Sequence, residues 1–193
     1  MKIIKIRIIV FLLLVSVLSF AQDTTGNPPK DFGRILNLYN SEGLKEGWWL
    51  EDYMPGHVAY VSYHNGKRDG LSFAYMNSTK VPDWVAYSIN GEPQAIIYFS
   101  EGRQGNSPGA IDMIFLCSRN NEFIVKKHDG TYFTPYYKAY FKGFYPTGQL
   151  ESEGFLVWDK DEAPEIDGRE CGIWKYYDTD GNVSVKEYPE GKP

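Results

Sequence analysis

Two cysteines and three histidines are all the thiol and imidazole chemistry in a chain of 193 residues. Two cysteines cannot build the disulfide framework of a small secreted domain or a four-thiolate zinc site. His57, His64 and His128 form no H-E-x-x-H, and the chain holds no C-x-x-C, G-x-S-x-G or G-x-x-x-x-G-K-[ST]. Basic residues are also in deficit, 20 Lys and Arg against 25 Asp and Glu. That balance argues against a surface that tracks phosphates, and so against nucleic-acid binding. Sustained helical spacing is absent too, with 31–40 as the best short candidate. With no catalytic constellation and no ligand set for a cofactor, the expectation is a non-enzymatic protein without catalytic or metal-binding residues.

The one long apolar run lies at the N-terminus. Lys2, Lys5 and Arg7 precede an apolar stretch from Ile8 to Leu18, then Ser19-Phe20-Ala21 before Gln22. This is the order of a secretory signal peptide cleaved between Ala21 and Gln22. The apolar core is about 11 residues, short of the roughly 17 to 25 that cross a bilayer, so no transmembrane anchor is expected after cleavage. Cleavage leaves 17 basic against 25 acidic residues, a net charge of −8. The expected location is periplasmic or extracellular. Residues 22–32, with Pro28-Pro29, read as a flexible leader, and 33–193 as a single domain.

What the chain does have is 15 Tyr, 11 Phe, 5 Trp and 19 Gly. Five Asn-Gly or Asp-Gly pairs end in Gly66, Gly91, Gly130, Gly168 and Gly181, and such pairs favour two-residue hairpin turns. The flanks alternate as strands do: 57–63 and 71–75 about the first pair, 84–89 and 94–99 about the second, 122–128 and 131–141 about the third. The predicted fold is all-β: tandem antiparallel hairpins in an elongated twisted sheet, with an irregular segment over about 92–128.

A repeat underlies the hairpins. Gly43-Leu-Lys-Glu-Gly47 and Gly66-Lys-Arg-Asp-Gly70 share a frame offset by 23 residues, and it returns as Gly168-Arg-Glu-Cys-Gly172. Tyr98, Phe155 and Tyr188 each stand seven residues after a turn glycine, namely Gly91, Gly148 and Gly181. The run YFKGFYPTGQLESEGFLVW, followed by DGRECGIWKYYDTDGNVSVKEY, resembles two units of the MORN-repeat variant found in bacterial proteins grouped with the YwqK-type antitoxin family. The resemblance implies a row of β-hairpins devoted to interaction rather than catalysis. Its family label adds toxin neutralisation as one alternative.

A single hairpin is marginal in water, so aromatics must join each unit to the next. Trp49, Tyr53, Tyr75, Tyr98, Phe155, Trp174, Tyr177 and Tyr188 are the candidates for this ladder. The rival reading is a carbohydrate- or small-ligand-binding surface built from exposed Trp and Tyr. In a linear array Cys117 and Cys171 stand about four strands, or roughly 19 Å, apart, so a disulfide requires the segment around Cys117 to fold back. The acidic run 159–170 reads as a solvated loop, with weak cation binding as the alternative. The functional expectation is an exported scaffold or interaction module of the cell envelope, with a protein as partner. Export of the full chain should yield a product starting at Gln22, checked by intact mass; a secreted species that retains Met1–Ala21 contradicts the cleavage assignment.

Overall fold

A computed structural model of the chain describes residues 36–76, 82–100, 109–126 and 130–188, with side chains at all of these but 52–54. The signal cleavage site, His128 and Asp129 lie outside the described residues, and for Tyr53 only the backbone is described. The elements are β1 (Leu38–Tyr39), β2 (Lys45–Met54), β3 (His57–His64), β4 (Lys67–Met76), β5 (Pro82–Ile89), β6 (Glu92–Phe99), β7 (Ile111–Arg119), β8 (Val125–Lys126), β9 (Tyr132–Phe133), β10 (Tyr137–Phe144), β11 (Leu150–Trp158), a one-turn α1 (Pro164–Asp167), β12 (Arg169–Tyr177) and β13 (Val183–Tyr188). Eleven strands form one antiparallel sheet in chain order, and β8 and β9 step out of it between the neighbours β7 and β10. The all-β hairpin architecture is thus present.

Turn chemistry explains the order. At Asn65-Gly66 and Asn90-Gly91 both residues have positive φ, 49° and 74° then 53° and 86°. This is the backbone of a two-residue hairpin whose twist matches its strands. Three further loops, Asn40–Leu44, Tyr145–Gln149 and Asp178–Asn182, share one hydrogen-bond pattern. In each, the first N–H donates to the fifth carbonyl and the glycine N–H, from Gly43, Gly148 or Gly181, donates to the first carbonyl.

Several sequence expectations need correction. Gly168 has φ −62° and follows α1, so Asp167-Gly168 is no hairpin turn. A Cβ on Gly168 would stand 2.3 Å from the Pro164 carbonyl oxygen, so its glycine is set by close approach. Gly47, Gly70 and Gly172 lie inside β2, β4 and β12 at positive φ. The register shifts opposite the last two, so there they shape bulges rather than turns. The strands beside Gly130 are only two residues each, and Tyr137–Phe144 joins the main sheet instead. Residues 92–128 are not irregular throughout, since Glu92–Phe99 and Ile111–Arg119 are central strands. Leu38–Tyr39 is a strand rather than the end of a helix, and 31–35 lie outside the described residues.

Opposed residues share a face of an antiparallel sheet, which traces one row through eight strands: Trp49, Val61, Ser72, Ala86, Ile96, Phe115, Phe141, Gly154. We call this the tryptophan face; Trp84, Trp158 and Trp174 also lie on it. Among the described residues its core has no second layer of comparable extent; large rings lie over small residues instead. A Cβ on Gly154 would sit 2.4 Å from Trp174 Cδ2, and one on Gly143 would sit 3.1 Å from Phe141 Cζ. Trp174 therefore reaches over β11 to Phe141 on β10, with ring centroids 5.5 Å apart. Phe141 meets Phe115 at 5.2 Å and Phe115 meets Tyr98 at 5.8 Å, which carries the chain of rings to β6.

Gly154→Ala should cost about 1–3 kcal/mol by driving a methyl into the Trp174 ring. Urea unfolding checks this, and in a Trp174→Ala background the same substitution should cost less than about 0.5 kcal/mol. Equal costs in both backgrounds would contradict the ring-over-glycine contact.

Candidate interaction surface

The ladder candidates divide between the two faces. Trp49 and Trp174 are buried on the tryptophan face, and their indole N–H groups donate to Leu38 and Phe155 carbonyls at 3.1 and 3.0 Å. Tyr98 and Tyr188 are half-buried on that face, the latter 3.1 Å from the Tyr176 hydroxyl. Tyr75, Phe155 and Tyr177 lie on the opposite face. Neither Trp49 nor Trp174 offers a free ring for a sugar to stack on.

The opposite face changes character along the sheet. One row of opposed residues runs Leu50, Tyr60, Phe73, Val85, Ile97, Ile114 and then Lys142, Glu153, Lys175, Val185. In the charged half, Glu153 accepts hydrogen bonds from the Tyr140 and Tyr177 hydroxyls, both at 2.8 Å, and pairs with Lys142 at 3.3 Å and Lys175 at 3.5 Å. Burial alone would raise this carboxyl, but those partners outweigh it and hold it at about 2. Tyr140, pushed up by its own burial and by Glu153, sits at about 12. Beside this network the β8–β9 excursion roofs the sheet: Phe123, Val125 and Phe133 pack on Val157 and Cys171.

The apolar half of the same face has no such roof among the described residues. Tyr60 stacks on Phe73 at 5.3 Å and on Tyr75 at 6.1 Å, and Trp48 meets Phe73 at 5.9 Å. The adjoining cluster of Val85, Ile97 and Phe99 is completed by Leu71, Phe73, Tyr87, Ile111 and Ile114, all from the sheet itself. Leu50, at the β2 end of the row, is 42% exposed. Sequence reading marked only Tyr75 here. The alternation over 57–63 and 71–75 did carry the signal, since it sets Tyr60 and Phe73 opposite one another.

On the tryptophan face, Ala163, Pro164 and Glu165 come over β3–β6 and enclose a cleft of about 340 Å³ with Glu51, Arg68, Trp84 and Tyr98 among its walls. Glu51 is held by Lys45 and by the Tyr63 hydroxyl at 2.9 Å, with Arg68 4.0 Å away. Glu165 Oε2 is buried and takes no hydrogen bond among the described residues.

The remaining candidates are internal. The acidic run is partly turned inward: Glu162 takes both guanidinium nitrogens of Arg169, at 2.6 and 2.7 Å, and Asp159 accepts the Tyr136 N–H. Among the described residues no group of three or more His, Cys, Asp and Glu is placed to hold a metal ion. His57 lies 3.3 Å from Asp83 and His64 lies 2.8 Å from Glu46. Cys117 and Cys171 are free thiols. They are three strand spacings apart, about 14 Å, and belong to clusters on opposite faces; a bridge would have to pass through the sheet. Burial pushes the two thiols up to about 12 and about 11, so neither is a nucleophile at neutral pH.

Compared with known protein families, curated proteins and solved structures, the chain matches none. Among the described residues no helix is long and apolar enough to cross a membrane.

The Glu153 network sets an acid limit on stability. Its carboxyl is lower in the folded chain than the ordinary 4.5, so its contribution is complete above that value and is lost as pH falls towards about 2. With the side chain only 11% exposed, this amounts to roughly 1–3 kcal/mol after solvent screening. Urea unfolding at stepped pH should show that loss in the wild type, and Glu153→Gln should flatten it. An unchanged slope in the variant would contradict the assignment.

Proposed function

We propose that the chain is an exported, non-catalytic β-repeat protein that serves as a protein-interaction or scaffolding module in the cell envelope, with the apolar half of the opposite face as its contact surface. The observation that carries this reading is the exposure of Leu50, 42%, at the β2 end of that apolar row. Beside the Glu153 network the same face is already occupied by Phe123, Val125 and Phe133, which pack on Val157 and Cys171. Tyr and Trp beside an exposed Leu match the composition of interface cores, where large rigid rings supply contact area at low entropic cost. The signal-peptide order at Met1–Ala21 supports a partner in the envelope or the medium.

A second reading has one observation in its favour. The cleft under α1 joins Trp84 and Tyr98 to a guanidinium and two carboxylates, a polar and aromatic mix suited to a small ligand. It uses neither of the tryptophans that the repeat pattern brought forward.

Crosslinking pull-down from envelope fractions separates the two. A Leu50→Glu bait should recover the partner about tenfold less well than wild type, the effect of losing one interface anchor. Ile124→Glu, on an exposed position of the excursion, should leave recovery unchanged, and both variants should keep the wild-type Tm. Equal recovery by all three baits, or no specific partner, would overturn the proposal.

A further inference from the structure

The two ends of the sheet are finished differently. At the β1 end the backbone of β2 is sealed. Asn37, at φ 62°, donates its N–H to the Trp48 carbonyl and accepts the Leu50 N–H on its side-chain oxygen, each at 2.9 Å. β1 is only two residues long and the Asn40–Leu44 turn returns the chain into β2, so among the described residues this edge offers no long run of free backbone groups. At the other end β13 is six residues long and pairs only with β12. Its outward N–H and C=O groups have no partner strand among the described residues. Val183 and Val185 are 52% and 65% exposed, beside Ile173 at 62%.

An open apolar edge is a template for a further strand. We infer that β13 pairs antiparallel with β13 of a second copy about a twofold axis through Val185, joining two sheets into one. The choice of a second copy rests on the charges in Val183-Ser184-Val185-Lys186-Glu187. A twofold axis perpendicular to the sheet requires opposed residues to share a face, which leaves four registers with an overlap of three residues or more, and the one with Glu187 on the axis sets glutamate against glutamate. With Val185 on the axis, Val185 meets its own copy, Val183 meets Glu187 and Ser184 meets Lys186. No like charges oppose, and Val183 and Val185 of both copies form one apolar stripe. With Lys186 on the axis, lysine opposes lysine, which is destabilising. With Ser184 on the axis the overlap within β13 shrinks to Val183–Val185. Lys186 therefore selects a register rather than blocking the edge, and its ammonium already lies 4.8 Å over the Tyr188 ring of its own strand.

This inference concerns an edge rather than the apolar face and holds or falls separately from the proposed function. Single-cysteine trapping reads the register directly, because the two native thiols are buried. In the Val185 register the paired α-carbons lie about 4.5–5.5 Å apart, within disulfide reach. The two copies of residue 183 lie four residues out of step, about 14 Å along the strand. Mature chains carrying Val183→Cys, Ser184→Cys, Val185→Cys or Lys186→Cys are oxidised with glutathione disulfide and run on non-reducing gels. Val185→Cys should form dimer at least about tenfold faster than the other three, as the geometry requires. Sedimentation should show a concentration-dependent dimer in wild type that Val185→Lys abolishes, since it sets lysine against lysine on the axis. Dimer formed fastest by Ser184→Cys or Lys186→Cys would overturn the register. Equal rates at all four positions, with a wild type that stays monomeric, would overturn the pairing.

Discussion

A ring laid over a missing side chain is the contact on which the sheet depends. Gly154 on β11 leaves the gap, Trp174 on β12 fills it, and the indole then reaches Phe141 on β10. A single layer of strands cannot ordinarily bury much apolar surface, because each face needs something packed on it. Here flat aromatics lean across neighbouring strands, so the face covers itself. Burying one such ring withdraws about 150–250 Å² from water, on the order of 4–6 kcal/mol. The indole N–H is satisfied by the Phe155 carbonyl, so this burial leaves no polar orphan.

From that closure follows the division of labour between the faces. With the tryptophan face occupied by its own rings, any large contact surface must come from the opposite face or an edge. The opposite face is spent at one end on the Glu153 network and the β8–β9 roof, and at the other end Trp48, Tyr60, Phe73 and Tyr75 pack beside an exposed Leu50. The edges divide in the same way: the short β1 and the Asn37 side chain cover β2, while β13 has no further partner strand among the described residues. The proposed contact surfaces thus fall where the self-covering geometry stops.

How much of this could be read from the residues depends on how local each cause is. The Asn65-Gly66 and Asn90-Gly91 turns were legible because positive φ at two adjacent residues is a local demand that few side chains tolerate. Asp167-Gly168 looks the same in sequence but serves close packing under α1, and Gly130 lies in an excursion whose two-residue strands stay out of the main sheet. The second glycines of the G-x3-G frames look in sequence like the turn glycines around them. Gly70 and Gly172 instead sit where the register slips inside a strand, a matter of pairing with β3 and β11 that spacing along one chain does not reveal. The aromatic ladder was visible as a periodicity, but its division between two faces was not. Tyr98, Phe155 and Tyr188 all stand seven residues after a turn glycine, yet strand pairing puts Tyr98 and Tyr188 on the tryptophan face and Phe155 on the other. Cys117 and Cys171 fell on opposite faces for the same reason of strand parity.

The direct test of the self-covering face is hydrogen exchange at the Trp174 indole, followed by NMR in the native state with low urea. If the ring is locked over Gly154 with its N–H on the Phe155 carbonyl, that proton exchanges only through global unfolding, with the same free energy and urea dependence as the core amides of β10 and β11. Exchange that is fast and insensitive to urea would mean the ring opens locally. That result would contradict a sheet whose core is held by aromatics spanning its strands.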